Sequence, residues 1–170
     1  MEEYAALAFA DEFDLNVGIV RPFNAYGPRD DFFRESNHVI PGLITRLLDG
    51  EDPLIVWGSG QQTRTFLYVD DFVQGVLLAC AHGKVTGPLN LGSDEEITIG
   101  ELAKLIVELS GLHVGVCFDP SKPDGQPRRA CDPRKARELI GFKAVVSFRE
   151  GLERTIDWYR LEKEQREALP

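Results

Sequence analysis

The sequence predicts an α/β fold in which short strands alternate with helices, and two observations support this prediction. First, apolar runs rich in β-branched residues, LNVGIV at 15–20 and LIVW at 54–57, have the length and composition of buried strands. Second, the segments between such runs carry apolar residues at helical spacing and are bounded by capping residues and glycines. A chain that alternates in this way folds as a sheet covered by helices.

The first half of the chain is expected to supply three helices and three strands. The first two helices are predicted at 2–12 and 38–49, and Asp70 or Asp71 can cap the third. Pro41 is tolerated in the first turn of the second helix, which ends before Gly50. The third helix is expected to bury an apolar face formed by Phe72, Val73, Val76, Leu77 and Cys80. The strands are predicted at 15–20, 54–57 and 65–69, and a loop is predicted at 29–37.

The second half is predicted to contain three more helices and two more strands. The helix start signals are two capping boxes and one Asp-Pro pair, at Thr98–Glu101, Ser147–Glu150 and Asp132-Pro133. Gly111 and Gly141 are expected to end two of these helices. The strands are predicted at 89–91 and 114–118, and a loop with three cations at 122–129. Residues 1–161 are expected to form one unit, and 162–170 a charged tail that frays.

Length and charge exclude several classes of function. At 170 residues the chain is long enough to bury a core without disulfides or metals. The net charge of −9 argues against nucleic acid as a partner, because phosphate neutralisation needs a basic face. It leaves room for a small phosphorylated ligand held by a few arginines. No apolar run reaches the ~18 residues that cross a bilayer, and the acidic N-terminus is unlike a signal peptide. No membrane partner and a cytoplasmic location are therefore expected.

The three cysteines, Cys80, Cys117 and Cys131, are far apart and in no CxxC spacing. Cys80 falls in a predicted helix and Cys117 in a predicted strand, so both are expected to be small buried hydrophobic residues. Neither a disulfide nor a zinc site is predicted, and no metal is expected.

Four segments follow a strand or open a helix, where open α/β sheets place their ligands. These segments are 22–26, 38–46, 57–64 and 122–129. They offer four forked guanidinium groups suited to phosphate oxygens, Arg46, Arg64, Arg128 and Arg129. Arg64 follows a glycine-bearing turn and precedes an apolar strand that would fix its stem and aim its fork. For each of the other three arginines, a solvated surface cation is an equally good interpretation.

Three further side chains have two interpretations each. Trp57 can stack on a nucleobase or close the core at the end of its strand. His38, at a helix start, can transfer protons or can serve as a surface or capping residue. Asn24 follows a strand and can face a ligand or close an Asx turn. The loop Gly58-Ser59-Gly60 matches neither the Walker motif nor GxGxxG, so it identifies no ligand by itself.

Four motifs occur in a fixed order: RPFNAYGPRD at 21–30, NHVIPGLITR at 37–46, WGSGQQTRTFLYVDD at 57–71 and DPSKPDGQPRR at 119–129. This order resembles the extended short-chain dehydrogenase/reductases, the NAD(P)-dependent nucleotide-sugar epimerases and dehydratases, over nearly the whole chain. The HVIP helix and the KPDG loop look most like the GDP-L-fucose synthase branch, whereas RPFN is commoner among UDP- and dTDP-sugar enzymes. The resemblance implies part of a Rossmann-type parallel sheet, with the small α/β subdomain that binds the substrate.

The resemblance also implies roles for individual residues. The turn Pro22, Phe23, Asn24 and Ala25 resembles the one that passes the nicotinamide of NAD or NADP. His38 matches the proton donor of the epimerisation step. The positions that match contacts to the nucleoside diphosphate-sugar are Asn24, Arg46, Trp57, Arg64 and Asp124.

The resemblance extends only to the C-terminal half of the family's pattern. The Gly-rich turn that cradles the dinucleotide pyrophosphate, and the Tyr-x-x-x-Lys pair, are expected to lie outside this chain. The chain alone is therefore expected to bind a nucleoside diphosphate-sugar but to bind no NAD or NADP and to lack oxidoreductase activity. Two alternatives remain open. One is a non-catalytic module that binds partners or associates with itself as a homodimer; the other is a split enzyme completed in trans by the missing half.

Overall fold

The computed structural model of the protein describes residues 1–33, 38–83 and 87–168. Within these ranges the chain forms a mixed α/β arrangement of six helices and nine short strands. The helices are α1 (Glu2–Glu12), α2 (Val39–Leu48), α3 (Val69–His82), α4 (Ile99–Ser110), α5 (Arg134–Ile140) and α6 (Phe148–Glu167). The strands are β1 (Val20–Pro22), β2 (Ala25–Tyr26), β3 (Leu54–Trp57), β4 (Thr63–Thr65), β5 (Leu67–Tyr68), β6 (Leu89–Leu91), β7 (Glu96–Thr98), β8 (Val116–Asp119) and β9 (Arg128–Arg129).

Most strand pairs are parallel, in agreement with the predicted fold class. β1 pairs with β6, β2 with β5 and β3 with β8, each in parallel. β4 lies between β7, which runs antiparallel to it, and β9, which runs parallel. The segment between β3 and β4 therefore leads from the end of one parallel pair into the centre of a three-stranded sheet.

Two hydrophobic clusters hold the helices against these strands. The larger one joins α2, α4 and α6 to β3, and its fully buried members include Ile44, Leu102 and Leu152. The smaller one joins α3 and α5 to β6 through residues such as Leu91 and Phe142. Because each buried aliphatic or aromatic side chain contributes roughly 1.5–3 kcal/mol, these clusters fix where the loops at the strand ends are placed.

The predicted start and stop of α4 are confirmed, whereas only half of the capping box predicted at α6 forms, because the Glu150 carboxylate binds Arg154 instead. Thr98 and Glu101 form a reciprocal capping box, and Gly111 ends α4 in the left-handed conformation with a φ of 70°. At α6, the Ser147 hydroxyl accepts a hydrogen bond from the Glu150 amide. These side chains satisfy amides of the first turn that have no partner within the helix.

Three strand predictions were wrong in extent, two of them in the first half of the chain. β1 contains only Val20 of the run predicted at 15–20, because its partner β6 begins at Leu89, directly after Pro88, which has no amide to donate. The strand predicted at 65–69 is two strands with different partners. β4 ends at Thr65 beside β7, whereas β5 pairs with β2, so the chain changes sheets at Phe66.

The predicted cap of α3 is wrong. Its N-cap is Tyr68, which makes no side-chain cap hydrogen bond. Asp71 is buried and accepts hydrogen bonds from the amides of Val145 and Val146 at 3.0–3.2 Å. Asp70 is exposed and lies 3.6 Å from an Arg154 guanidinium nitrogen. The Asp71 carboxylate therefore ties α3 to the segment before α6 instead of capping α3.

The predicted buried face of α3 is only partly right: Phe72 and Val76 are partly buried and pack against the smaller cluster, whereas the other three predicted positions are exposed. The buried positions are Asp71, Gly75 and Ala79. A Cβ added at Gly75 would lie only 2.7 Å from a methyl of Leu91, so α3 packs on β6 through its small residues. The larger apolar side chains that point away from this contact, and are exposed, are Val73, Leu77 and Cys80.

The cysteine prediction fails at both positions for which burial was expected. Cys80 lies on the outer face of α3, and Cys117 is exposed on β8, where it pairs with Ile55 of β3. Strand β8 itself covers Val116–Asp119 and not 114–118. Cys131 is half-buried, and burial, reinforced by the Asp132 and Asp94 carboxylates, raises the pKa of its thiol to about 11.

The last two helices also differ from prediction. α5 begins at Arg134 with Pro133 as its N-cap. Asp132 nevertheless makes the expected capping contact, since its Oδ1 accepts a hydrogen bond from the Arg134 amide at 3.1 Å. Its carboxylate also pairs with the Arg134 guanidinium, and these hydrogen bonds hold its pKa at about 2. α6 continues to Glu167, so the tail predicted to fray is helical as far as that residue, and Lys163 anchors it on Asp49 at 2.6 Å.

Residues 34–37 of the predicted loop 29–37, and residues 169–170 of the predicted tail, lie outside the described residues. Within the described ranges, no helix combines the length and the apolar character needed to cross a bilayer.

Candidate functional site

The loop between β3 and β4 is held against the loop between β8 and β9. Asp124 accepts hydrogen bonds from the amide and the hydroxyl of Ser59, the latter at 3.0 Å from each carboxylate oxygen. Lys122 lies over the Trp57 ring at 5.7 Å from its centroid. The two loops predicted to converge do so, and Asp124, predicted as a nucleotide contact, is the residue that joins them.

The structure requires glycine at two positions of this loop. Gly58 has a φ of 77°, and an added Cβ would overlap the Asp124 carboxylate. Gly60 has a φ of 72°, and an added Cβ would overlap the Phe118 ring. A left-handed conformation and close packing together make any larger residue costly at both positions. The glycine loop is therefore a fixed element and not a flexible connector.

Arg64 lies in β4 with its stem fixed, as the sequence predicted. One guanidinium nitrogen donates to the carbonyls of Thr63 and Gln126 at 2.7 and 2.8 Å, which ties β4 to the loop before β9. Arg129 is its register partner on β9. Burial, and secondarily the nearby Arg129 charge, lowers the pKa of Arg64. Two cations therefore lie side by side on neighbouring strands.

The arginines differ in whether a carboxylate neutralises them. Arg128 pairs with Glu96 at 2.8 Å, and Arg46 with Glu51 at 3.1 Å. Among the described residues, Arg64 and Arg129 have no carboxylate within salt-bridge distance. A pair of adjacent cations without a counter-charge is an electropositive spot on an acidic protein, and planar forked donors of this type suit phosphate oxygens.

Trp57 lies at the exposed end of β3. Its side chain is 61% exposed, so the alternative that it closes the core is wrong. Arg46 reaches the same strand, where it donates to the Ile55 carbonyl at 2.9 Å. Residues 55 and 57 both point to the outer face of β3, as their alternating burial shows. A flat aromatic side chain is therefore presented at the surface, where Lys122 lies over its ring.

The turn from Pro22 to Ala25 contacts the cationic pair. The Asn24 side-chain amide donates to the Thr65 carbonyl at 2.8 Å, and its backbone is left-handed, with a φ of 42°. Asn24 therefore ties the turn to the end of β4. The Phe23 ring lies 5.8 Å from the Arg129 guanidinium carbon. Of the four predicted segments, this one joins the two loops around Arg64.

His38 lies at the start of α2, where it is the N-cap residue but makes no side-chain cap hydrogen bond. Its Nδ1 atom lies 3.0 Å from a carboxylate oxygen of Asp30. The His38 side chain is 75% exposed. Asp30 was not singled out by the sequence, and its only signal was its place in the motif RPFNAYGPRD.

Although the family's Tyr-x-x-x-Lys pair is expected to lie outside this chain, a tyrosine and a lysine with this spacing do occur in it. Tyr159 is followed four residues later by Lys163. Tyr159 is 2% exposed and stacks on Phe32 at 4.9 Å between ring centroids, while Lys163 binds Asp49. The pair is part of the core and of the anchor of α6, so it has no access to a ligand.

One segment of the described residues, the turn 22–25, is predicted to face a nicotinamide. The sequence contains no GxGxxG turn to cradle a pyrophosphate, and the Asn24 amide is already bonded to the protein. No group of three or more potential metal-ligating side chains occurs within the described ranges. The donors that are free to hold a ligand are instead the guanidinium groups of Arg64 and Arg129 and the exposed ring of Trp57.

Fold and site together define an α/β protein in which a glycine loop and two cations lie at strand ends, where open α/β sheets place their ligands. A family model for the NAD dependent epimerase/dehydratase family matches residues 1–92, more than half of the chain. The chain belongs to this family.

Individual relatives agree with this assignment. The chain is 41% identical over 142 residues to a probable GDP-L-fucose synthase 1 of Oryza sativa subsp. japonica, a match that covers 81% of this chain and 43% of the rice protein. UDP-glucose 4-epimerase of Thermotoga maritima, solved with UDP-glucose, superposes with a TM-score of 0.83 at 32% identity, over 95% of this chain and 51% of the epimerase. UDP-glucuronic acid 4-epimerase of Bacillus cereus, solved with NAD, gives a TM-score of 0.79 at 27% identity, over 95% of this chain and 49% of that protein.

The comparisons confirm the predicted family and fold class. The relatives are extended short-chain dehydrogenase/reductases that act on nucleotide sugars, and the chain spans about half the length of those it matches. They include both GDP- and UDP-sugar proteins, so they do not distinguish the base.

Proposed function

We propose that this chain is the part of a nucleotide-sugar epimerase/reductase, of the GDP-L-fucose synthase type, that binds the nucleoside diphosphate-sugar. The observation that carries the proposal is the pair Arg64 and Arg129, which lie opposite each other on β4 and β9 without a carboxylate partner among the described residues. A diphosphate supplies the missing negative charge, and each charge-assisted hydrogen bond contributes about 1.5–3 kcal/mol.

The remaining roles follow from what lies around this pair. Trp57 stacks on the base, which contributes roughly 1–3 kcal/mol, and Arg46 lies beside it on β3. Asp124 holds the glycine loop in the shape that presents Trp57. Asn24 fixes the turn beside the sugar, and His38 donates a proton to the sugar during epimerisation. GDP-sugar is the first candidate because of the HVIP and KPDG motifs.

The same site supports no redox chemistry by the chain alone. Pro22, Phe23, Asn24 and Ala25 form one turn of a nicotinamide site, but the chain has no glycine cradle and no accessible Tyr-x-x-x-Lys pair. NAD or NADP is therefore bound only where further protein completes the site. The purified chain is expected to turn over no NADPH with a nucleotide 4-keto sugar.

Fluorescence of Trp57 tests the proposed binding. Addition of GDP should quench a saturable part of the tryptophan emission, because a base stacked on the exposed Trp57 ring changes its surroundings. Trp158 is half-buried and packs on Phe32 at 5.4 Å, so its emission should not respond. The Trp57→Phe variant, which keeps Trp158, should show no quenching.

Titrations with UDP and dTDP in the same cuvette address the base. A UDP- or dTDP-sugar enzyme is favoured if either nucleotide quenches at lower concentration than GDP. Quenching that persists in Trp57→Phe, or no quenching by any nucleotide, would contradict the proposed role of Trp57.

A second candidate function, self-association or completion by a partner chain, is favoured by the apolar surface around α1. The residues that are at least 40% exposed there are Tyr4, Leu7, Phe9, Phe13 and Leu15. A contiguous exposed apolar surface of this kind is typical of an interface. We propose that a second copy, or a chain that carries the other half of the family's pattern, covers it.

Light scattering tests this second candidate. The chain should form dimers at concentrations near 100 μM, an order of magnitude typical of modest interfaces. The Phe9→Ser/Phe13→Ser variant, which removes two rings that stack on each other at 5.6 Å, should be monomeric. A monodisperse monomer of the unmodified chain at high concentration would contradict self-association.

A further inference from the structure

Asp30 and His38 form a carboxylate–imidazole pair at the start of α2. The His38 Nδ1 atom lies 3.0 Å from Asp30 Oδ1. The carboxylate is only 14% exposed, whereas the His38 side chain is 75% exposed. The Asp30 carboxylate is therefore held inside the protein, and the His38 imidazole presents the remainder of its ring to solvent.

Asp30 is fixed by its own turn before it contacts the histidine. Its amide donates to the Gly27 carbonyl at 3.3 Å, and its carbonyl accepts from the Phe32 amide at 3.0 Å. Its Oδ1 also accepts from the Asp31 amide at 2.7 Å. A carboxylate anchored in this way has a set direction, and it can orient an imidazole that would otherwise rotate.

The second carboxylate oxygen of Asp30 is not fixed by contacts of this kind. Asp30 Oδ2 is buried and accepts no hydrogen bond from the described residues. Leaving a buried charged acceptor without a partner costs free energy, so a purely structural role would favour a neutral or apolar side chain here. A carboxylate is useful at this position because its charge acts on the imidazole beside it.

We infer that Asp30 is the positioning residue for His38, because its carboxylate fixes the neutral imidazole as the Nδ1–H tautomer and presents Nε2 for proton transfer. A carboxylate can only accept, so the shared proton resides on Nδ1. This inference rests on the proposed function, in which His38 donates a proton to the sugar.

The transfer of a proton from His38 to the sugar balances in protons and electrons. The imidazolium carries protons on both nitrogens, and Nε2 gives its proton to the carbanionic carbon of the keto sugar, where a C–H bond forms. The N–H electron pair stays on Nε2, and the imidazole is left neutral with its remaining proton on Nδ1, bonded to Asp30. The carboxylate keeps the Nδ1 proton hydrogen-bonded before and after transfer and so holds the ring in one orientation, in the way that a buried carboxylate orients a catalytic histidine.

The tautomer of His38 can be measured directly in the ligand-free chain. Long-range nitrogen–proton NMR correlations of the ¹⁵N-labelled protein, at a pH where its imidazoles are neutral, separate the two tautomers. His38 should be mainly the Nδ1–H form, and in Asp30→Ala its ratio to the Nε2–H form should fall by about tenfold or more. His82 and His113 are internal controls that should not change, and His38→Gln assigns the signal.

The outcomes separate cleanly. An Nε2–H tautomer in the unmodified chain overturns the inference, and so does an unchanged ratio in a folded Asp30→Ala variant. Should Asp30→Ala not fold, as judged by amide shift dispersion, the near-isosteric Asp30→Asn variant replaces it. Its neutral oxygen is a weaker acceptor, so the ratio should fall severalfold, and an unchanged ratio again overturns the inference. Because no nucleotide is present, failure here leaves the proposed binding function untouched, and failure of nucleotide binding leaves this measurement valid.

Discussion

Replacing Arg64 with alanine is expected to weaken the binding of GDP by about 10- to 100-fold. The substitution removes one charge-assisted hydrogen bond to the diphosphate, worth about 1.5–3 kcal/mol, and 1.4 kcal/mol is tenfold in affinity. It also removes the hydrogen bond that ties β4 to the Gln126 carbonyl, together with the one to the neighbouring Thr63 carbonyl. Titration calorimetry of the variant against the unmodified chain measures the loss.

Two further variants separate the contributions of charge and geometry. Arg64→Lys keeps a positive charge but loses the planar fork, so it should recover only part of the affinity. Arg128→Ala is the matched control, because Arg128 precedes Arg129 on β9 but is paired with Glu96 and largely exposed. Its affinity should stay within about twofold, since exposed ion pairs contribute at most ~1 kcal/mol. Equal losses for Arg64→Ala and Arg128→Ala would contradict a specific role for Arg64.

Replacing Gly151 with alanine is expected to lower the free energy of unfolding by about 1–3 kcal/mol, the range for overpacking a core. An added Cβ would overlap the Tyr26 hydroxyl and would lie 2.9 Å from a ring carbon of Tyr68. Both tyrosines are at least 95% buried, and the Tyr26 hydroxyl donates to the Phe148 carbonyl at 3.3 Å. The clash therefore cannot be relieved by moving an exposed side chain.

Alanine is the better helix former by about 1 kcal/mol, so a loss of stability at Gly151 separates packing from propensity. Gly115→Ala is the control, because an added Cβ there meets only Pro53 at 3.7 Å and its backbone is not left-handed. That variant should be neutral or more stable by about 0.4–1 kcal/mol. Urea unfolding of both variants measures the difference. A Gly151→Ala variant as stable as Gly115→Ala would show that α6 does not pack on β2 and β5 as described.

Elements whose signals are local could be predicted from the sequence. The capping box at Thr98 and the stop at Gly111 act within one helix, so their spacing alone is informative. The direction of a helix face is different, because it depends on what the helix packs against. Gly75 permits a close approach to Leu91 that no periodicity reveals, so the buried face of α3 runs through Gly75 and only Phe72 and Val76 of the predicted stripe pack against the core.

The residues of the candidate site likewise divide into those predicted from local signals and those placed by long-range packing. Arg64 could be predicted because the turn and strand that fix its stem adjoin it in the sequence. Its neighbour Arg129 and the loop residue Asp124 come from a segment more than 50 residues later, and only the pairing of β4 with β9 shows that they meet. The burial of Tyr159 likewise depends on long-range packing, so the meaning of its Tyr-x-x-x-Lys spacing could not be judged from the sequence.

The central claim is that the two unneutralised arginines and the exposed tryptophan bind a nucleoside diphosphate without help from other protein. Calorimetric titration of the unmodified chain with GDP, UDP and a GDP-sugar tests this claim most directly. Saturable binding of at least one of these ligands at one site per chain, with loss of binding when phosphate oxygens are removed by using guanosine or uridine, is the predicted result. No heat of binding with any of the three ligands, or equal binding of the nucleosides, would contradict it.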